Sequence, residues 1–268
     1  MMRRILAILA LLACFSCVGQ KEDPDYVYPD DVTDPEPGGQ AEGSRFFHRV
    51  LALEFTATWC QYCPNMTEAL EQARKERPGR IQEIAVHYSD EMSSVASDGV
   101  VTRYKVSSFP TVILDLDPAT RFNRQDAAIF KDYIDSTCET EACGIALESS
   151  LKEGVLSLSV KVKAVAEGEY YVGAAVVEDG IVADQTGAGP GYVNNAVLRS
   201  FLGDGGLDGT PAGILKKGEE STVKFSKAFD GPLAKTRIVV FAILGGKVSN
   251  TSVCTLNDEK AYEYEADD

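Results

Sequence analysis

The spacing of hydrophobic residues changes about half-way along the chain. In the first half, short apolar runs at residues 50–55 and 81–86 predict buried strands. Segments with apolar residues three or four positions apart predict helices at residues 66–77, 92–104 and 125–137. Strands that alternate with helices are typical of an α/β domain, which we place at residues 45–140.

From about residue 145, apolar and polar residues alternate instead. Residues 155–163 alternate cleanly, which predicts a half-buried strand. Further strands are predicted at residues 170–177, 222–229, 236–244 and 248–256. Because turn signals separate these strands and no long helix is evident, we expect an all-β domain, an antiparallel sandwich, at residues 144–256.

A glycine-rich span at residues 184–219 interrupts the predicted strands. It holds nine glycines, and its G-x-G pattern does not link a strand to a helix, so a nucleotide-binding loop is rejected. We interpret the span as a long, mobile excursion in which residues 192–199 are the ordered part. Since long loops are often functional, it is a weak candidate for a partner surface.

The first residues have the pattern of a secretory signal. Arg3 and Arg4 precede a short apolar run, which is too short to cross a bilayer. The run ends at Cys14 and Cys17, and its end resembles a bacterial lipobox in which either cysteine becomes the lipidated terminus. We therefore expect a lipoprotein signal peptide at residues 1–16, with the choice between the two cysteines left open.

Composition places an acidic tether after this signal. Residues 17–44 are rich in Pro, Gly and acidic residues, and such a segment cannot bury enough apolar surface to fold. Its start resembles the acidic export signal of Bacteroidota surface lipoproteins. This resemblance implies an outer-membrane lipid anchor and palmitate, with the protein facing either the cell surface or the periplasm.

The net charge of −15 is concentrated at the two ends. Residues 21–44 carry −7 and residues 257–268 carry −5, and we expect the latter to form a solvated acidic tail. The part between them is only mildly acidic. No basic field remains to attract a phosphate backbone, so nucleic acid is disfavoured as a partner.

The candidate chemistry lies in the motif Trp-Cys-Gln-Tyr-Cys-Pro at residues 59–64. It joins a predicted strand to a predicted helix, where unpaired N–H groups and the helix dipole stabilise a thiolate. A spacing of three residues lets Cys63 form a disulfide with Cys60 or resolve a mixed disulfide. Cys60 is therefore the expected nucleophile and Cys63 the resolving thiol.

The motif and its surroundings resemble the thioredoxin superfamily over about residues 46–138. The resemblance includes Trp59 before the first cysteine, and it implies that Glu54 is a buried acid that moves a proton. Pro110 corresponds to the cis-proline of the superfamily, which presents the backbone of the preceding Phe109 to a bound substrate. The predicted fold class is thus an α/β thioredoxin-like domain followed by an all-β sandwich.

The order of segments, including the stretch at residues 192–199, resembles the Bacteroidota lipoprotein family known as outer membrane protein 28. One hypothesis is an exported thiol–disulfide oxidoreductase whose partners are proteins with thiols or disulfides, without a cofactor. The alternative is an outer-membrane surface binding protein or adhesin with a non-catalytic scaffold and a permanent disulfide. No second pair of ligands accompanies the two cysteines at zinc spacing, so no metal is expected.

The remaining cysteines and histidines are given structural roles. Cys138 and Cys143 form a possible structural disulfide at the domain junction, and Cys254 is then a buried thiol. Alternatively, Cys254 pairs with Cys143 and Cys138 is free. His48 and His87 lie in or beside predicted strands and are interpreted as ordinary strand residues.

Overall fold

The computed structural model describes residues 45–266 of the chain. The predicted signal peptide, Cys14, Cys17 and the predicted tether lie outside the described residues. The first half contains β1 (Val50–Thr56), α1 (Cys63–Glu76), β2 (Ile81–His87), α2 (Val95–Tyr104), β3 (Thr111–Leu114), β4 (Arg121–Phe122) and α3 (Ala127–Cys138). The second half contains β5 (Gly144–Lys152), β6 (Val155–Lys163), β7 (Gly168–Glu178), β8 (Ile181–Gln185), β9 (Gly189–Asn194), β10 (Val197–Leu202), β11 (Thr210–Leu215), β12 (Glu220–Ala228), β13 (Thr236–Leu244), β14 (Lys247–Thr255) and β15 (Glu259–Lys260).

A mixed sheet runs through both halves in the order β14-β13-β7-β10-β2-β1-β3-β4, and β11 also pairs with β7. Strands β1 and β2 are parallel because α1 crosses between them, and β10 joins β2 in parallel. At this junction the Ala85 N–H donates to the Ala196 carbonyl oxygen at 2.8 Å. Since one sheet spans both halves, the division into two domains stays a prediction.

Helices cover the part of this sheet that is built from the first half. Residues 50, 52 and 54 of β1 share one face because side chains alternate along a strand. Helices α1 and α3 pack on that face through buried residues that include Leu70 and Phe130. Helix α2 packs on the opposite face in a core that also takes in Val239 and Phe241 of β13. The two halves therefore share a hydrophobic core as well as a sheet.

A second, antiparallel sheet, in the order β12-β6-β5-β15, lies in the second half. Its inward residues Leu156, Leu158 and Val160 are buried against Val240 of β13 and Tyr170 of β7. The described residues thus form a mostly β structure with a mixed sheet. Within them, no helix is long and apolar enough to cross a membrane.

The glycine-rich span differs from the predicted excursion, because it forms strands. Strands β8 and β9 pair only with each other, β10 enters the large sheet and β11 pairs with β7. The alternating pattern did not reveal β8 and β9, because one side of this two-stranded sheet is solvent-exposed and its other side carries the buried polar residues Gln185 and Asn194. We call it the β8–β9 hairpin below.

The acidic tail is also ordered as far as it is described. Strand β15 pairs with β5, and Phe46 pairs with Tyr264 in an isolated antiparallel bridge. Glu263 forms an ion pair with Arg49, near the start of the described chain, and Glu265 forms one with Arg80, just before β2. The expectation of a solvated tail is therefore wrong for residues 257–266.

Candidate functional site

The two cysteines of the motif are joined by a disulfide bond at the point where β1 leads into α1. Cys63 is the first residue of α1, and a proline follows it at the start of the helix, where its missing N–H costs nothing. Both cysteines are nearly inaccessible to solvent, with 4% of Cys60 and 1% of Cys63 exposed. The predicted pair is thus brought together, with Cys60 slightly the more exposed.

Glu54 lies in β1 on the face beneath α1, and 1% of it is exposed. The Thr67 Oγ1 atom lies 3.0 Å from the Glu54 Oε1 atom and 3.3 Å from the Cys63 carbonyl oxygen. Burial raises the pKa of Glu54 well above its usual value, and the neighbouring Glu83 adds to the increase. Glu54 is thus a buried carboxyl group that favours its protonated form and lies beneath the turn that holds Cys63, with Thr67 between it and the Cys63 main chain.

A small polar cavity of about 30 Å³ adjoins Glu54. It is large enough for a water molecule. Its walls include Glu83, which accepts a hydrogen bond from the Arg74 Nη2 atom at 2.7 Å. Tyr192 of the β8–β9 hairpin closes another side. The cavity gives the buried carboxyl group a polar environment that is separate from the surface next to Cys60.

Aromatic side chains form the exposed surface around the disulfide. The Trp59 Nε1–H donates to the Tyr88 carbonyl oxygen at 3.0 Å, and the Trp59 ring meets Phe109 edge-on. Tyr88 stacks on the other side of Phe109. Trp59 is 47% exposed and Tyr62 is 58% exposed. The peptide bond between Phe109 and Pro110 is cis, as the resemblance implied.

Sequence reasoning missed a buried His–Asp pair beneath the motif. The His87 Nδ1 and Asp90 Oδ2 atoms are 2.7 Å apart, and the same carboxylate accepts the Thr58 N–H at 2.9 Å. Burial alone would raise the pKa of Asp90, but the contacts with His87 and the Thr58 N–H outweigh it and lower that pKa. The sequence signal that could have revealed this pair is an aspartate three residues after a histidine at the end of a strand.

The second half of the chain contributes the β8–β9 hairpin to this site. The Gln185 Nε2 atom donates to the carbonyl oxygens of Ala57 and Cys60, at 3.1 and 3.0 Å. The Thr186 N–H donates to the Thr58 carbonyl oxygen at 2.8 Å. Nothing in the sequence near Cys60 indicated this contact, because Gln185 is 125 residues away along the chain.

The other three cysteines among residues 45–266 are thiols. Cys138 and Cys143 are not bonded to each other, so the predicted structural disulfide is absent. Cys138 ends α3, where its Sγ donates to the His48 carbonyl oxygen at 3.3 Å, whereas Cys143 is buried in the core between the sheets. Cys254 is a buried thiol in β14, bonded to neither of them. Burial raises the pKa of all three thiols, to about 11 for Cys138 and about 12 for the others.

No catalytic arrangement forms around His48. It is buried, and its Nδ1 atom lies 3.3 Å from the Thr140 carbonyl oxygen. Burial is the main reason why its pKa is lowered. Among residues 45–266, no group of three or more His, Cys, Asp or Glu side chains is arranged to hold a metal ion.

No protein-family model matches the chain, and no curated protein matches it. Among solved structures, the chain is similar to HBP35 of Porphyromonas gingivalis, with a TM-score of 0.70 and 21% identity over 81% of this chain and 78% of that one. It is also similar to protein AGR_C_4864 from Agrobacterium tumefaciens, with a TM-score of 0.54 and 16% identity over 84% of this chain and 100% of that one. At these identities the likeness shows a shared fold.

Proposed function

We propose that the protein is a thiol–disulfide oxidoreductase whose first half is a thioredoxin-like domain. The observation that carries the proposal is the Cys60–Cys63 disulfide at the start of α1, with the buried carboxyl group of Glu54 beneath the turn and Thr67 between that carboxyl group and the Cys63 carbonyl oxygen. The cis bond before Pro110 and the position of Trp59 support the thioredoxin-like assignment.

The reaction exchanges one disulfide for another. A partner thiolate attacks the Cys60 sulfur, the bond to Cys63 breaks, and the Cys63 thiolate takes a proton from Glu54. A second partner thiolate then attacks the mixed disulfide, which leaves a disulfide on the partner and two thiols here. In the opposite direction, Glu54 accepts the proton of Cys63 as that thiol attacks the mixed disulfide. Two electrons move in each case.

Export and lipid anchoring are part of the proposal. The signal and the cysteines Cys14 and Cys17 motivate it, and the likeness to a protein from a Bacteroidota species supports a related origin. Labelled palmitate should be incorporated into the wild-type protein and lost from either Cys14→Ala or Cys17→Ala. Retention of the label in both single variants and in the double variant contradicts a lipid anchor at these residues.

Burial of both cysteines favours a second candidate function. A disulfide between cysteines that are 4% and 1% exposed resembles a structural bond, as in a surface binding protein or adhesin. Trp59 is the only tryptophan, so its fluorescence reports on the neighbouring disulfide. In a dithiothreitol or glutathione redox titration, the oxidoreductase requires a reversible change in emission within the range of roughly −270 to −120 mV spanned by redox-active proteins.

Trapping of partners tests the catalytic assignment directly. Cys63→Ser removes the resolving thiol, so mixed disulfides between Cys60 and protein partners should accumulate in cells. The Cys60→Ser/Cys63→Ser double variant is the control and should trap nothing. If Cys63→Ser traps no more than the double variant, and the Trp59 signal does not titrate, the disulfide is structural and the adhesin candidate is favoured.

A further inference from the structure

The β8–β9 hairpin lies on the loop that holds Cys60. Gln185, of which 3% is exposed, anchors it through the carbonyl oxygens of Ala57 and Cys60. The Thr186 N–H adds a third hydrogen bond to the same loop. All three hydrogen bonds are accepted by backbone oxygens of residues 57–60, so they do not depend on the side chains of that loop.

The tip of the hairpin approaches the motif so closely that a side chain does not fit. Gly187 has a φ of +93°, and a Cβ atom on it would lie 2.2 Å from the Gln61 carbonyl oxygen. Contacts below about 3.0 Å do not occur for real Cβ atoms, so one of the two backbones would have to move. Gly187 therefore lets the tip close on the residue that follows Cys60.

The hairpin contacts the rest of the structure at its tip, as described above, and at its base. Its two strands pair with no other strand among the described residues, and Val182 and Val193 face solvent at 66% and 48% exposure. The base, in contrast, is fixed by the buried ion pair between Asp179 and Arg237, with 2.8 Å between Oδ1 and Nη2. Asp179 also accepts the Ala196 N–H at 2.7 Å. Such a hairpin can lift at its tip without disturbing the large sheet.

We propose that the β8–β9 hairpin is a removable cover that determines which thiols reach Cys60, with Gln185 as its positioning residue. This inference rests on the proposed redox function. A thiolate must approach the Cys60 sulfur along the sulfur–sulfur axis, and only 4% of Cys60 is exposed with the cover in place. A small dithiol needs only a brief opening of the β8–β9 hairpin, whereas a protein thiol has to displace the tip of the hairpin.

Two glycines of the hairpin provide a matched experiment on the full chain. Gly187 and Gly189 have the same φ of +93°, so alanine strains the backbone equally at both. Only Gly187 meets another group, since nothing lies within 4 Å of a Cβ on Gly189. We expect Gly187→Ala to speed reduction of the disulfide by dithiothreitol, measured by Trp59 fluorescence, by about fivefold or more, with Gly189→Ala within about twofold of wild type.

A protein reductant gives the second readout. With reduced thioredoxin as the probe, the acceleration by Gly187→Ala should exceed that seen with dithiothreitol, because the larger thiol needs the wider opening. Gln185→Ala removes two anchoring hydrogen bonds without adding a side chain, and should accelerate both reactions if Gly187→Ala does not fold. Circular dichroism and thermal unfolding establish which variants are folded.

The outcomes separate this inference from the redox function. Equal rates of disulfide reduction in wild type, Gly187→Ala and Gln185→Ala would contradict the proposed cover. Equal acceleration of that reduction by Gly187→Ala and by Gly189→Ala would contradict it as well. If the rates respond as expected but Cys63→Ser traps no partner, the cover stands and the oxidoreductase fails. If Cys63→Ser traps partners but the hairpin variants are reduced at the wild-type rate, the oxidoreductase is supported and the cover is not.

Discussion

Glu54 is the residue whose environment bears most directly on the chemistry. Its pKa is raised by burial and by Glu83, so it holds its proton to a higher pH than an exposed glutamate does. We expect Glu54→Gln to slow the attack of Cys63 on a mixed disulfide by about 100-fold at neutral pH, since a positioned acid–base group contributes roughly that much or more. Attack by Cys60 itself should be unaffected, because Glu54 is linked to the Cys63 side of the turn.

Ellman's reagent resolves the two steps. The reduced protein releases one thionitrobenzoate when Cys60 attacks and a second when Cys63 resolves the mixed disulfide. A Cys138→Ser background removes the half-buried third thiol, and Glu68→Gln on the exposed face of α1 serves as the control. A second phase as fast in Glu54→Gln as in the control would contradict the proton-transfer role.

Asp115 makes stability depend on pH. Burial raises its pKa to about 7, although the Leu51 N–H and the Tyr133 hydroxyl donate to it. In the unfolded chain the carboxyl group ionises near pH 4, so between pH 4 and 7 the folded state binds the extra proton. The free energy of unfolding from this group is therefore highest below pH 4 and falls by up to about 1.4 kcal/mol per pH unit as the pH rises to 7.

Asp115→Asn should abolish that fall, because asparagine does not ionise and still has an oxygen to accept a hydrogen bond. Urea unfolding at pH 5 and at pH 7.5 measures the difference in the free energy of unfolding. The control is Asp204→Asn at an exposed loop position, which should keep the wild-type dependence. The same dependence in both variants would show that Asp115 is not the group responsible.

Individual site residues were predictable where a local motif or the resemblance pointed to them. The spacing and the position at a strand-to-helix turn indicated Cys60 and Cys63, and the thioredoxin resemblance indicated Glu54 and Pro110. Gln185 has its partners 125 and 128 residues away, so no spacing pattern reveals it. The predicted bond between Cys138 and Cys143 failed for another reason, because one thiol ends a helix and the other belongs to the core between the sheets.

At the scale of the secondary-structure elements, one buried hydroxyl group forms hydrogen bonds with the loop that connects β6 to β7. Tyr170 is fully buried, and its hydroxyl accepts the N–H groups of Val165 and Ala166 at 3.1 and 3.3 Å and donates to the Ala166 carbonyl oxygen at 3.0 Å. Tyr170→Phe leaves these groups without that partner, so we expect the free energy of unfolding to fall by about 1–3 kcal/mol.

Tyr171→Phe is the matched control, since its side chain lies on the opposite face of β7 and packs in the other core. Chemical unfolding followed by circular dichroism compares the two variants with wild type. A loss in Tyr171→Phe as large as that in Tyr170→Phe would mean that the hydroxyl network of Tyr170 does not hold the connection.

Strands were predicted with the correct bounds where one burial pattern continues along the whole strand. Strands β6 and β13 have the predicted bounds, because one alternates and the other is a continuous buried run. Strand β5 went unpredicted, since its weak alternation is interrupted at Ser149, Ser150 and Leu151. The β8–β9 hairpin lacks an apolar face of its own, so its pairing depends on contacts with the motif loop that only the folded chain provides.

At the scale of the whole molecule, the start of the described chain and the disulfide lie at opposite ends of β1. Seven residues of strand separate them, a distance of about 20 Å at roughly 3.3 Å per residue. Residues 45–49 are held by the tail at the far end of the strand. The proposed lipid anchor precedes residue 45, so the disulfide lies at the end of β1 that is farther from it along the chain.

Two acidic residues of the tail form ion pairs with arginines of the folded chain. Arg49 is 4% exposed in its side chain and pairs with Glu263, with 2.9 Å between Nη2 and Oε1. Glu265 accepts from the Arg80 Nη2 atom at 2.6 Å. Phe46 stacks on Tyr264 with its ring centroid 5.0 Å away. These contacts join the two ends of the described chain, which the charge distribution alone did not indicate.

A chain that ends at Ala261 loses this contact and leaves the buried charge of Arg49 without Glu263. Breaking a buried ion pair in this way costs about 3–5 kcal/mol, so the free energy of unfolding should fall by at least about 3 kcal/mol. The control is a chain that ends at Ala266, which keeps every contact described above. Urea unfolding measures both chains.

A second substitution separates the ion pair from the packing of the tail. In the chain ending at Ala261, Arg49→Met removes the buried charge that has lost Glu263 and should recover part of the lost stability, whereas in the full chain it should not stabilise to the same extent. No recovery would assign the loss to the aromatic contacts of Phe46 instead. Equal stability of the chains ending at 261 and 266 would show that the tail does not hold the start of β1.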